Sequence, residues 1–172
     1  MTNWLALAKS NSDNLFDLIE KLVSIETPTR DKAANDEISS FAANLMRSMG
    51  GEVTVHSQTE FGDHIAINWP SPDGNNNKQH AFVIGHLDTV WPHGTLEQMG
   101  YSEKEGRLYG PGVLDMKAGI ATTIVGLETL KHNNLWPNRP VKVLFNTDEE
   151  VGSPSSRPLV EHYAKGAAYA LI

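Results

Sequence analysis

His86 and Asp88 close a short apolar run, "FVIGHLDTVWP" (82–92), in which four apolar or small residues lead straight into the histidine. A strand of that kind is stabilised by apolar contacts on both faces, and neither of these side chains gains from such burial. With period two, they point to one face. One alternative is a surface histidine beside a solvated aspartate. The other is a metal-bound imidazole whose second ring nitrogen is held by the neighbouring carboxylate, the partner that metal-bound histidines usually have. Asp115 follows a Gly-Pro-Gly loop in "GPGVLDMKAG" (110–119). It is either the N-cap of a helix beginning near Met116 or a carboxylate with both oxygens free to bridge two metals, the glycines allowing a close backbone approach. Asp148, Glu149 and Glu150 follow the apolar "VLF" in "VLFNTDEEVGS" (143–153). Three adjacent acids are ordinary on a solvated surface, but at a strand end they repel unless something positive sits among them. Neighbours on an extended chain point different ways, so one glutamate can bind metal while the other faces the substrate water.

All three groups fall at the carboxyl end of an apolar strand or in the loop leaving it, where open α/β sheets bind ligands. Residues distant in sequence can meet there. Helical spacing of Leu15, Leu18, Ile19 and Leu22 predicts a helix over 13–25, with Asp13 as N-cap and Pro28 beyond its end. A second helix covers 31–49 and stops at Gly50 and Gly51. Strands follow at 52–57, 64–70 and 80–86, the last apolar enough to be central. A helix over 116–132 carries an Ile120, Ile124, Leu127 and Leu130 stripe. A fourth strand begins after Pro140, a helix covers 155–165 with Pro154 near its start, and "AAYALI" (167–172) begins a fifth strand. Strands alternating with helices after residue 80 predict an α/β fold: layered α/β/α around a central mixed, largely parallel sheet.

A chain of 172 residues, 40% of them hydrophobic, suits one globular domain. Fourteen Lys and Arg against 21 Asp and Glu leave a net charge of −7, which disfavours nucleic acid as a partner. No apolar run approaches the roughly 20 residues that span a bilayer, so no membrane partner is expected. With no cysteine, any metal must be held by His, Asp and Glu. No basic segment precedes the apolar patch near the N-terminus, so no signal peptide is expected and the compartment reads as cytoplasmic. The chain stops inside an apolar run, which reads as a truncation.

Taken together, "GHLDTVWP", "GPGVLDMKAGIA" and "LFNTDEEVGSPSSR" resemble the zinc-dependent aminoacylase and carboxypeptidase family, and "NTDEEVGSPSSR" looks most like its glutamate carboxypeptidase (carboxypeptidase G type) branch. The resemblance implies a di-zinc metallohydrolase that cleaves an amide or peptide bond in a small peptide or N-acyl amino acid. It implies that His86 binds one Zn2+, that Asp88 lies behind it and orients it, that Asp115 bridges both, that Glu149 is the general base and that Glu150 binds the second. A cis peptide between Asp115 and Met116 is implied as well. The family needs two further ligands, an acid soon after "AAYALI" and a distant C-terminal histidine, together with a lid or dimerisation domain that would make the complete protein a homodimer. On that basis residues 1–172 are the N-terminal part of the catalytic domain, expected to be metal-poor, marginally stable and inactive alone. Aminoacylase, deacetylase or desuccinylase activity is the alternative within the family, and a non-catalytic ligand-binding relative the alternative outside enzymes. An intact Glu149 speaks against the last, since a protein that only binds has no need of a base.

Overall fold

The computed structural model describes residues 2–172. In chain order the elements are α1 (Trp4–Lys9), α2 (Ser12–Val23), α3 (Lys32–Ser48), β1 (Glu52–His56), β2 (His64–Trp69), β3 (His80–His86), α4 (Thr95–Met99), β4 (Ser102–Lys104), β5 (Arg107–Tyr109), α5 (Ala118–His132), β6 (Val141–Asn146), α6 (Arg157–Ala164) and β7 (Ala167–Leu171). Five strands form one sheet in the order β1-β2-β6-β3-β7, and β4 and β5 form a separate hairpin. The β6–β3 and β3–β7 pairs are parallel, while β1–β2 and β2–β6 are antiparallel. The sheet is therefore mixed, with β2 alone running against the others.

Alternation along each strand explains the layers. Ile65, Ile67, Val143, Phe145, Ala81 and Val83 face a core shared with α2, α3 and α5. Ala66, Phe82, Ile84 and Leu144 face the other way, against Leu159, Val160 and Tyr163 of α6. Because β3 and β6 are covered on both faces, their middles, 81–84 and 143–145, are continuous apolar runs rather than alternating ones. Parallel register sets His86 opposite Asn146. The two strands thus end level, and the loops that leave them start side by side.

Several elements differ from the sequence reading. α2 starts at Ser12 with Asn11 as N-cap, so Asp13 lies in the first turn, where its charge suits the helix dipole. α5 starts at Ala118 rather than Met116. Asp115 (φ −127°, ψ 99°) and Met116 (φ −132°, ψ 34°) are non-helical, and Lys117 N–H donates to the Gly112 carbonyl at 2.9 Å to close a wide turn before the helix. No side-chain hydrogen bond caps α5, so Asp115 is not its N-cap. α6 starts at Arg157, and Pro158 rather than Pro154 occupies its first turn. The β4–β5 hairpin escaped prediction because strands of three residues show no alternation. Its turn pairs Glu105 (φ 53°) with Gly106 (φ 71°), the left-handed geometry that tight hairpins require.

The loop between β1 and β2 passes under α3 at Gly62. A Cβ there would lie 2.2 Å from Cβ of buried Asn35 and 3.0 Å from its carbonyl carbon. Gly62→Ala is expected to destabilise the fold by about 1–3 kcal/mol, the range for overpacking a close contact. Urea denaturation measures it, and an unchanged midpoint would mean that α3 and this loop separate without loss.

Candidate functional site

His86 ends β3 with 5% of its surface exposed. Its Nδ1 lies 2.9 Å from the Asp88 carbonyl oxygen and 3.4 Å from Asp88 Oδ1. Both are acceptors, so Nδ1 carries a hydrogen, and the nitrogen left for a metal, once its own proton has gone, is Nε2. That nitrogen is 2.9 Å from Asp115 Oδ1 and 3.8 Å from Glu149 Oε2. The backbone carbonyl of Asp88 is thus the nearer partner of Nδ1, and its carboxylate stands just behind. Burial disfavours charge on His86 and is the largest single influence, yet Asp88 and Asp115 together raise its pKa to about 9. Any cation bound at Nε2 near neutral pH must displace a proton.

Asp115 reaches this point from the turn after the Gly-Pro-Gly loop, and its side chain is 70% exposed. The Asp115–Met116 peptide is cis. Ligand atoms of His86, Asp115 and Glu150 all lie within 4.8 Å of one another. Partial burial pushes the Glu150 carboxyl up; His86 opposes the rise, while Asp115, Asp88 and Glu149 add to it. Among the described residues no Lys or Arg pairs with Asp115, Glu149 or Glu150. One imidazole nitrogen and several carboxylate oxygens, crowded with no Lys or Arg among them, suit a divalent metal.

Asp88 is completely buried. Its Oδ1 accepts the Glu149 N–H at 3.3 Å and its Oδ2 the Glu150 N–H at 3.2 Å. One carboxylate therefore stands behind the histidine and also fixes the backbone of the acid pair. Asp148 parts company with its neighbours. It is fully buried and accepts Ser155 N–H and Oγ–H, each at 2.7 Å, and Ser156 N–H at 3.0 Å. It holds the 147–156 loop rather than joining the cluster.

His64, which the sequence reading passed over, completes that support. Its Nδ1 accepts Thr147 N–H at 3.2 Å, so Nε2 carries the hydrogen and donates to Ser155 Oγ at 2.9 Å. Burial holds the His64 pKa below its ordinary value, with Asp148, Asp88 and Asp63 pulling upward and His56 downward. Burial also lowers His56 and His80. A histidine whose folded pKa is depressed adds stability that is complete above the unfolded value, about 6.5, and lost as pH falls below it. His86, raised, acts in the opposite sense. NMR titration is expected to give His64 a midpoint below about 6.5; a midpoint above it would show that the Asp148, Asp88 and Asp63 carboxylates outweigh burial.

An apolar cavity of about 650 Å³ lies elsewhere, among α1, α5 and the end of β7, lined by residues such as Leu7, Leu15, Leu127 and Leu171. It shares only Met116 with the turn that carries Asp115. The chemistry sits instead at the strand ends.

Residues 82–172, which contain all of these groups except α1–α3 and the first two strands, match the peptidase family M20/M25/M40. The chain belongs to this family. It is 34% identical over 155 residues to carboxypeptidase G2 of Pseudomonas sp. (strain RS-16), covering 89% of this chain and 36% of that protein. It is 31% identical over 142 residues to succinyl-diaminopimelate desuccinylase of Orientia tsutsugamushi (strain Boryong), covering 79% of this chain and 34% of the relative. Among solved structures, human carnosine dipeptidase 1 superposes with a TM-score of 0.78 at 19% identity, over 94% of this chain and 38% of that one. This M20/M25/M40 chain spans about a third of the length of the curated relatives it matches. The α/β/α sheet is the fold it shares with the solved structures.

Proposed function

We propose that the chain is the N-terminal catalytic part of a di-zinc amidohydrolase, a glutamate-carboxypeptidase-like exopeptidase acting in the cytoplasm on small peptides. The observation that carries the proposal is the meeting of His86, Asp115 and Glu150 within 4.8 Å at the strand ends. His86 and Asp115 would hold one Zn2+, Asp115 and Glu150 the other. When bound, such a metal pair polarises the scissile carbonyl and makes water more acidic.

The chain's own residues supply the rest. Asp88 keeps the hydrogen of His86 on Nδ1 and leaves Nε2 free to act as a ligand. Glu149, anchored through its N–H and half exposed, takes a proton from the attacking water and returns it to the leaving nitrogen. Catalytic zinc usually has three protein ligands, and each half of this set provides two, so the remaining ligands are proposed to come from outside these residues. The complete protein is proposed to be a homodimer with a lid domain.

N-acyl amino acid deacylation is the second reading, favoured by the 31% identity to a desuccinylase. An assay of the complete, zinc-loaded protein against peptides with C-terminal glutamate and against N-succinyl and N-acetyl amino acids separates the two. Preference for the glutamyl peptide is the expected result. Preference for N-acyl substrates would favour deacylation, and no hydrolysis of any of them would overturn both.

A further inference from the structure

The segment joining α2 to α3 lies across the start of the loop that leaves β3. Thr27 Oγ1 donates to the Leu87 carbonyl at 2.8 Å, and Thr89 N–H donates to the Thr27 carbonyl at 2.8 Å. Thr29 N–H donates to the Thr89 carbonyl at 3.2 Å, and Pro28 and Thr89 form a parallel bridge. The segment is anchored at both ends. Lys117 Nζ, buried beneath the Asp115 turn, donates to the Ile25 carbonyl, and Asn35 Nδ2 of α3 donates to the Pro28 carbonyl at 2.8 Å. Glu26 accepts Gly94 N–H and Leu96 N–H, each at 2.8 Å, and so secures the far end of the same loop.

The strap thus touches the turn bearing Asp115 through Lys117 and the loop bearing Asp88 through its threonines. Among the described residues, its side-chain hydrogen bond to the carboxylate of the site comes from Thr29. The hydroxyl lies 2.8 Å from Asp88 Oδ2 and 3.3 Å from the Thr89 carbonyl. It has one hydrogen, and the shorter contact to a charged acceptor is the stronger. Thr29 is 6% exposed and Asp88 not at all, so water is a poor substitute for either partner.

We propose that Thr29 is a positioning residue of this site: its hydroxyl fixes the Asp88 carboxylate, and through Asp88 both the His86 imidazole and the backbone of Glu149 and Glu150. The proposal rests on the metallohydrolase reading for its effect on metal, but not for its effect on Asp88. Thr29 does not touch the reacting atoms. It sets the orientation of a group that touches His86 and both glutamates, so its removal loosens all three at once. Outer partners of metal ligands, the place Asp88 holds, are worth about 10–100-fold in metal affinity, and Thr29, one bond further out, is expected at the low end of that range.

The test compares Thr29→Val, which keeps the shape and removes the hydroxyl, with Thr29→Ser, which keeps the hydroxyl. Amide hydrogen exchange at Glu149 and Glu150 is followed by NMR in the metal-free chain, and Zn2+ affinity by calorimetry. Thr29→Val is expected to speed exchange at both amides and to weaken Zn2+ binding, each by about tenfold, while Thr29→Ser stays near wild type. Unchanged exchange or unchanged affinity in the valine variant would overturn the proposal, as would a serine variant that behaves like valine. If the wild-type chain bound no Zn2+, the metal reading would fail, and the exchange comparison would still decide the role of Thr29 toward Asp88.

Discussion

Glu149→Gln in the complete, metal-loaded protein is expected to keep its metal and to lose about 10²–10⁴-fold in amide hydrolysis. The amide of glutamine has nearly the shape of the carboxylate but cannot accept the water's proton. The Glu149 side chain is 53% exposed and has no Lys or Arg partner among the described residues, so the substitution strands no buried group. What anchors Glu149 is its N–H on Asp88 Oδ1, and the substitution leaves that bond in place. Metal content by mass spectrometry and turnover, measured on one preparation, check the two halves together. A near-normal rate would assign the proton transfer to another group. A collapse of both rate and metal would make Glu149 a ligand instead.

Asp115→Ala should cut metal affinity further than any other single change outside the core. Asp115 is the donor that both halves of the proposed pair share, so its loss should exceed the roughly 10–100-fold that follows removal of an outer partner. The side chain is 70% exposed, and its one ion pair among the described residues is with His86. His86 is buried, but it keeps Asp88 as a partner and can release its proton once Asp115 is gone, so the metal-free protein should lose no more than about 1 kcal/mol. Zinc calorimetry beside urea denaturation separates the effects. Retained affinity would remove Asp115 from the ligand set, and a large loss of metal-free stability would make its role structural.

The three strand-end motifs were legible because each breaks a physical expectation. An apolar strand that ends in His86, or an apolar "VLF" that runs into three acids, has no packing reason to do so. The layers were legible for a related reason, since runs such as 81–84 and 143–145 are apolar at positions that would otherwise alternate, and burial on both faces is what removes alternation. The supports were not legible. Thr29 meets Asp88 across 59 positions of sequence, and His64 meets Ser155 across 91. Hydrogen bonds over such separations leave no period, and "ETPTR" reads locally as the end of a helix. Asp148 was read with its two neighbours because sequence counts charges; the backbone turns it inward to the Ser155 and Ser156 amides. The start of α5 was misread for the same reason, because the bond from Lys117 N–H to the Gly112 carbonyl displaces the first turn without altering the apolar stripe.

Anomalous diffraction from crystals of the zinc-loaded protein tests the metal centre most directly. His86 Nε2 is expected about 2.0–2.1 Å from a zinc peak, the usual bond length to an imidazole. Asp115 is expected to touch that peak and also a second one that Glu150 shares, with Glu149 bound to neither. Zinc density away from His86, or two peaks that Asp115 does not join, would contradict the assignment of this strand-end cluster as the metal centre.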